Sequence, residues 1–133
     1  GEPYNRLLNQ IRCFVSADIG FGEYMIKNFE AMAAGCLLVA WRQPEQEQAA
    51  LGFVEGENVV LYDSEQELEK KLAWLASDSP AAERIARAGQ ALVTKQHRWV
   101  DRAAVFPELL SAEIQRAPPI TWRDRLKILG AGK

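Results

Sequence analysis

A unit of strand, loop, helix and strand near the start of the chain constrains the fold more than any other feature. Residues 11–16 form a nearly continuous apolar run that is rich in β-forming residues. Residues 23–34 carry apolar side chains at helical spacing and end before Gly35, and residues 36–41 are apolar throughout. Fully apolar strands are typical of parallel sheets that are buried on both faces. The sequence therefore predicts a βαβ unit.

The middle of the chain adds a third strand and a clearly marked helix. Residues 42–58 are polar with some apolar positions, and we expect a short helix and turns there. The apolar residues within 58–62 predict the third strand. Ser64 and Glu67 form a capping box, which predicts a helix that begins at this point of the sequence.

Two further helices are predicted in the last third of the chain. Ser79-Pro80 marks the start of the first, because proline is well tolerated in an opening helical turn. The second covers residues 99–115, where Pro107 either kinks or divides it. These elements together predict an α/β fold, a partial Rossmann-like, doubly wound parallel sheet of about three to four strands with helices on both faces.

Composition and charge limit the function classes. The chain has 133 residues, 48% of them hydrophobic, which fits one globular domain over residues 1–115 with a tail at 116–133. A net charge of −2 argues against a general nucleic-acid binder. Two cysteines and a single histidine, His97, lack metal-ligand spacing, and we expect His97 to cap or pack between the last two helices. The longest apolar stretches reach about half of the roughly 20 residues that a membrane span needs, which favours a soluble, cytoplasmic protein.

The tail differs in charge from the rest of the chain. Residues 116–133 hold five basic residues against one acid, a net charge of +4, and Trp122, Leu126 and Leu129 would share one face of a helix. Such a segment suits a protein partner, a homodimer, or peripheral contact with the inner face of an anionic membrane. The sequence leaves these three alternatives open.

A candidate binding site lies where the first strand passes into the first predicted helix. Backbone amides at Gly20, Phe21 and Gly22 would stand at the helix start, where free N–H groups attract phosphate. Glu23 and Glu30 would flank Lys27 on one helix face. This pattern is typical of two solvated ion pairs, and it also fits a carboxylate for sugar hydroxyls beside a cation for phosphate.

The helix and the second strand carry a family resemblance. Residues 28–40, Asn-Phe-Glu-Ala-Met-Ala-Ala-Gly-Cys-Leu-Leu-Val-Ala, resemble the signature of group-1 GT-B glycosyltransferases, in their C-terminal, nucleotide-sugar-binding domain. Residues 54–62, the helix over 64–75, Ala88-Gly89 and the His97-x4-Arg102 spacing resemble the spore-maturation-protein-like branch of these enzymes. The likeness covers roughly residues 10–105, most of the chain.

The resemblance implies roles for several residues. Glu30 matches the second glutamate of a Glu-x7-Glu motif, which binds the ribose hydroxyls of the donor, and Lys27 matches a basic position that faces phosphate. Gly22 stands where the first, catalytic glutamate belongs, so either Glu23 takes its place near the donor sugar or the position is vacant. The amides of residues 20–22 would meet the diphosphate. Neither a cofactor nor an obligatory metal is implied.

A complete GT-B enzyme has two Rossmann-like domains with the active site between them, and 133 residues cannot hold both. The resemblance therefore implies the donor-binding part of an enzyme that moves a sugar from a nucleotide-diphosphate sugar to a glycan, lipid or protein acceptor. The acceptor-binding N-terminal domain would be missing, and we expect the isolated chain to be inactive. The alternative is a noncatalytic interaction module that retains the transferase fold.

Overall fold

A computed structural model describes residues 1–18 and 20–116 of the chain. The chain divides into two compact units, Gly1–Arg98 and a second unit that starts at Trp99, and each is described by itself. The elements in chain order are α1 (Glu2–Leu8), β1 (Cys13–Ser16), α2 (Ile26–Ala33), β2 (Leu37–Trp41), α3 (Glu45–Leu51), β3 (Val60–Tyr62), α4 (Glu65–Ser77), α5 (Ser79–Gln96) and α6 (Trp99–Arg116).

The first unit is built on a three-stranded parallel sheet in the order β1-β2-β3. Cys13 of β1 pairs with Leu37 of β2, and Val39 of β2 pairs with Val60 of β3. All three predicted strands are therefore present, and the predicted parallel α/β architecture is confirmed. α1 has no counterpart among the predicted elements.

Both faces of the sheet are covered, as a fully apolar central strand requires. Leu38 and Ala40 of β2 belong to a core cluster with residues of α2, α3 and the end of α5. Leu37 and Val39 point to the opposite face and pack with residues of α4 and the start of α5. The alternation of neighbouring β2 side chains between two clusters places helices on both sides of the sheet.

The starts of α4 and α5 lie where they were predicted, with small differences in the residues that form the capping hydrogen bonds. Ser64 caps α4, since its Oγ accepts a hydrogen bond from the Glu67 N–H at 3.2 Å. The Glu67 carboxylate in turn accepts a hydrogen bond from the N–H of Asp63, one residue before the cap, at 2.8 Å. α5 begins at Ser79 as predicted, but its cap is Asp78, whose Oδ1 accepts from the Ala81 N–H at 3.0 Å. At the start of each helix, a side chain accepts a hydrogen bond from a backbone N–H group that would otherwise be unpaired.

The second unit is described only as α6, which runs without a break through Pro107. Proline therefore does not divide the predicted helix. The tail residues Trp122, Leu126 and Leu129, with the rest of 117–133, lie outside the described residues. Across 1–18 and 20–116, no helix combines the length and the apolar character that crossing a bilayer demands.

Candidate functional site

The candidate site lies at the edge of the sheet where the three parallel strands end. β1 ends at Ser16, β2 at Trp41 and β3 at Tyr62, so the loops that follow them gather at one edge. A hydrogen bond from the Tyr62 hydroxyl to the Ser16 carbonyl, 3.0 Å long and buried, joins the outer strands at this point. The edge is thus held by a side chain as well as by the strand ladder.

The loop after β1 is fixed by the side chain of Asp18. Its Oδ1 accepts hydrogen bonds from the Gly20 N–H at 3.0 Å and from Gln43 Nε2 at 3.1 Å. Gly20 and Gly22 have φ values of +80° and +70°, a region that side-chain-bearing residues rarely adopt. The two glycines therefore shape this loop, and Phe21 between them is 78% exposed.

A buried polar link connects this loop to the loop after β2. Gln43 is buried, its backbone N–H donates to the Tyr24 hydroxyl at 3.4 Å, and its carbonyl accepts from Gln48 Nε2 at 2.7 Å. Burial raises the pKa of the Tyr24 phenol, whose ring packs edge-on against Phe53 at 4.9 Å. Sequence reasoning missed Gln43 and Tyr24, because their pairing joins residues 19 positions apart.

The start of α2 differs from the prediction. The helix begins at Ile26, not at residue 23, because Met25 has extended backbone with ψ 152° and Gly22 has a positive φ. Glu23 therefore lies in the loop and does not share a helix face with Lys27 and Glu30. For the same reason the amides of residues 20–22 do not stand at the helix start as expected, but in the loop before it. The prediction that three charged side chains lie along one helix face is therefore wrong for Glu23.

Lys27 and Glu30 both lie on α2 and are exposed to solvent. Among the residues that the structure describes, no ion pair joins Glu23, Lys27 or Glu30 to one another, so the predicted solvated ion pairs are absent. The two helix side chains instead stand about one turn apart on α2.

Glu30 forms a hydrogen bond with a residue of α1, the helix that was not predicted from the sequence. The Tyr4 hydroxyl of α1 donates to Glu30 Oε2 at 2.9 Å. This hydrogen bond, together with a smaller effect of burial, raises the pKa of the Tyr4 phenol because it favours the protonated hydroxyl. One carboxylate oxygen of Glu30 is thus engaged within the chain.

Two further residues of this region have distinct environments. Asn28, the third residue of α2, is 2% exposed, and its Oδ1 has no hydrogen-bond partner among the described residues. His97 ends α5, with Nε2 2.9 Å from the Leu51 carbonyl oxygen and its ring 5.4 Å from that of Phe29. The expected position of His97 at the end of α5 is confirmed, whereas the contacts described for its ring are with α2 and α3 and not between the last two helices. In the described part of the chain, no group of three His, Cys, Asp or Glu side chains is arranged to hold a metal ion.

The sequence and the structure of this chain were compared with those of known proteins. A family model described as glycosyl transferase-like matches residues 1–107. The C-terminal domain of a glycosyl transferase group 1 family protein, LpcC, from Francisella tularensis is similar in structure, with a TM-score of 0.51 and 30% sequence identity over 64% of this chain. The chain spans 44% of the length of that domain. No curated protein matches the sequence at a significant level.

Proposed function

Since the chain belongs to the glycosyl transferase-like family, we propose that it binds the nucleotide-diphosphate sugar from which a glycosyltransferase moves a sugar to a glycan, lipid or protein acceptor. The observation that carries this proposal is that a glycine-shaped loop, Gly20 to Gly22, leads into α2, on which Lys27 and Glu30 are both exposed. The similarity to a group 1 transferase domain supports it.

The diphosphate is proposed to lie against the loop of Gly20, Phe21 and Gly22 and the first turn of α2. Within this loop the Gly20 N–H is already engaged by Asp18 Oδ1. The opening N–H groups of a helix lack intrahelical acceptors, and the helix dipole favours negative charge at that end. Lys27 adds a full positive charge in the same turn. When the sugar–phosphate bond breaks, negative charge grows on the departing diphosphate, and these groups would stabilise it there.

The ribose is proposed to bind Glu30, because a carboxylate accepts hydrogen bonds from two neighbouring hydroxyl groups at once. Tyr4 donates to one of the two oxygens, and ribose is proposed to use the other oxygen or to displace the tyrosine hydroxyl. Glu23 lies in the loop and is proposed to approach the donor sugar, because Gly22 stands at the position where the family motif has a glutamate.

Several finer assignments rest on the sequence alone. The spore-maturation-like branch, the absence of an obligatory metal and the inactivity of the isolated chain are proposals. The acceptor half of the enzyme is proposed to be a separate, N-terminal domain. A homodimer and a membrane contact of the tail involve residues beyond those described. The alternative of a noncatalytic module is not favoured by any contact that the structure describes.

Replacing Lys27 with glutamine tests the diphosphate site. We expect the affinity for a nucleoside diphosphate to fall about three- to tenfold, because an exposed charge-assisted contact with phosphate is lost. The affinity for the matching uncharged nucleoside should not change. Isothermal titration with both ligands measures the difference, and Lys70→Gln on α4, another exposed lysine, is the matched control. Equal losses for the nucleoside and its diphosphate would contradict the assignment.

Replacing Tyr4 with phenylalanine tests the competition for Glu30. Removing the hydroxyl frees Glu30 Oε2, and since one hydrogen bond contributes about 1 kcal/mol, nucleotide affinity should rise roughly two- to fivefold. The same titration measures the gain. In the double variant Tyr4→Phe/Glu30→Gln the gain should disappear. A fall in affinity on Tyr4→Phe alone would show that Tyr4 assists binding and does not compete with the ribose.

A further inference from the structure

The buried serine, asparagine and glutamine residues of the described chain all lie at one end of the sheet. Ser16 is the last residue of β1, Asn28 lies in the first turn of α2, and Gln43 follows β2. These three places adjoin the carboxyl ends of β1 and β2. Polar groups are seldom buried without hydrogen bonds, so each of the three side chains needs a partner.

Of these three side chains, only that of Gln43 has a partner within 1–18 and 20–116. Its Nε2 donates to Asp18 Oδ1 at 3.1 Å. Asn28 is 2% exposed, and its Oδ1 is buried without a hydrogen bond. Ser16 is 3% exposed, and the Tyr62 hydroxyl bonds its backbone carbonyl but not its side chain. An amide and a hydroxyl group are thus buried with their hydrogen-bonding capacity unused.

The backbone of α2 does not use the Asn28 side chain. Asparagine near a helix start often bonds a local backbone group. Here the Asn28 N–H donates to the Met25 carbonyl at 2.9 Å, and α2 begins without a side-chain cap. The buried residues of α2 are Asn28, Ala31 and Met32, whose spacing of three and four places them on one helix face. The Asn28 amide therefore belongs to the face of α2 that packs inward.

The topology brings Ser16 and Asn28 to the same end of the same sheet face. Ser16 pairs with Ala40 across parallel strands, so their side chains lie on one face of the sheet. Ala40 belongs to the core cluster that contains Met32 of α2. Because α2 leads from the end of β1 back to the start of β2, its first turn lies at the carboxyl ends of the strands.

We infer that one internal water molecule joins Asn28 to Ser16. The water donates a hydrogen bond to Asn28 Oδ1 and accepts one from the Ser16 hydroxyl. Buried waters bind where otherwise unpaired polar groups supply about two to four hydrogen bonds. Both groups are neutral, and each can donate or accept, which suits a water molecule better than an ion.

This water ties the first turn of α2 to the end of β1. The Ser16 backbone is itself held by the buried bond from the Tyr62 hydroxyl, so the strand end is a fixed point. The loop of Gly20, Phe21 and Gly22 runs between the two residues that the water joins. The inference does not rest on the proposed function, because neither side chain is assigned to the nucleotide.

A high-resolution crystal structure of the chain tests the water directly. We expect a peak of density within about 2.7–3.2 Å of both Asn28 Oδ1 and Ser16 Oγ. In solution, the side-chain NH₂ protons of Asn28 should show nuclear Overhauser contacts to a long-lived water. A site without density, or an Asn28 amide oxygen bonded directly to another group of the chain, would overturn the inference.

A double-variant cycle adds a second readout. Ser16→Ala should lower the melting temperature by about 3 °C, because the water loses a partner. Asn28→Leu should lower the melting temperature by a similar amount, because leucine displaces the water and leaves the Ser16 hydroxyl buried without a partner. In the Asn28→Leu background, Ser16→Ala removes that unpaired hydroxyl, so it should leave the melting temperature unchanged or raise it.

A dry site predicts different signs. Without the water, Asn28→Leu removes an unpaired buried group and should raise the melting temperature. Ser16→Ala should then have the same effect in both backgrounds, because nothing couples the two side chains. That pair of results would overturn the inference. If Asn28→Leu fails to fold, the crystal structure and the Overhauser contacts of the unaltered chain still decide it.

Discussion

Gly89→Ala is expected to lower the free energy of unfolding by about 2–3 kcal/mol, the cost of forcing an extra methyl group into a packed core. A Cβ atom built on Gly89 would lie 2.6 Å from the Asn58 carbonyl oxygen and 2.9 Å from Met32 Cε. Helix propensity alone predicts the opposite sign, since alanine stabilises a helix by about 1 kcal/mol relative to glycine. The sign of the measured change therefore shows whether helix propensity or tertiary packing dominates at this position.

The nearer neighbour of Gly89, the carbonyl oxygen of Asn58, is a backbone atom and cannot rotate away. Asn58 is held in its turn by its own side chain, whose Oδ1 accepts from the Val54 N–H and whose Nδ2 donates to the Gly52 carbonyl, each at 2.9 Å. Met32 is fully buried in the core beneath α2. α5 must consequently shift away from α2 to accept the methyl group, and core contacts of both helices are lost.

Urea unfolding followed by circular dichroism measures the effect of Gly89→Ala. Ala88→Gly is the matched control, because Ala88 is exposed on the same helix and the change should cost about 1 kcal/mol through propensity alone. Stability that is unchanged or raised in Gly89→Ala would show that α5 packs less closely on α2 and the Asn58 turn than the structure indicates.

Glu30→Gln is expected to reduce nucleoside-diphosphate affinity at least about tenfold. The substitution keeps the shape of the side chain but removes the charge that strengthens hydrogen bonds to the two ribose hydroxyls, each worth about 1.5–3 kcal/mol to a charged acceptor. Glu30 is exposed, and glutamine still accepts the Tyr4 hydroxyl, so the melting temperature should remain within about 2 °C of the wild-type value.

Two controls separate the ribose site from other causes of weak binding. A 2′,3′-dideoxynucleoside diphosphate should bind the wild-type chain as weakly as the normal ligand binds Glu30→Gln. Glu23→Gln should leave nucleoside-diphosphate affinity unchanged, because Glu23 is assigned to the sugar that this ligand lacks. Unchanged affinity in Glu30→Gln would exclude Glu30 as the ribose ligand.

The elements that are set by local chemistry were predicted from the sequence. Apolar runs identified the three strands, and Ser64 with Glu67 identified the start of α4. The predicted parallel sheet follows from the same runs, because strands separated by a helix and buried on both faces pair in parallel.

The contacts that shape the candidate site were not predicted, because they join distant parts of the sequence. Tyr4 and Glu30 are 26 positions apart, and Asp18 and Gln43 are 25 apart. Their side chains meet only after β1, β2 and the helices between them have packed. The delayed start of α2 has a local cause, the extended Met25, but nothing in the helical spacing of the apolar residues marked it.

The most direct test of the donor-binding proposal is a two-dimensional amide NMR titration of the chain with UDP, GDP, ADP and TDP. We predict that one nucleotide is preferred and that its shifts cluster at Gly20, Phe21, Gly22, Lys27 and Glu30. A folded chain whose amides at these five positions do not shift with any of the four, up to millimolar concentration, would contradict the proposal that this chain holds the donor site.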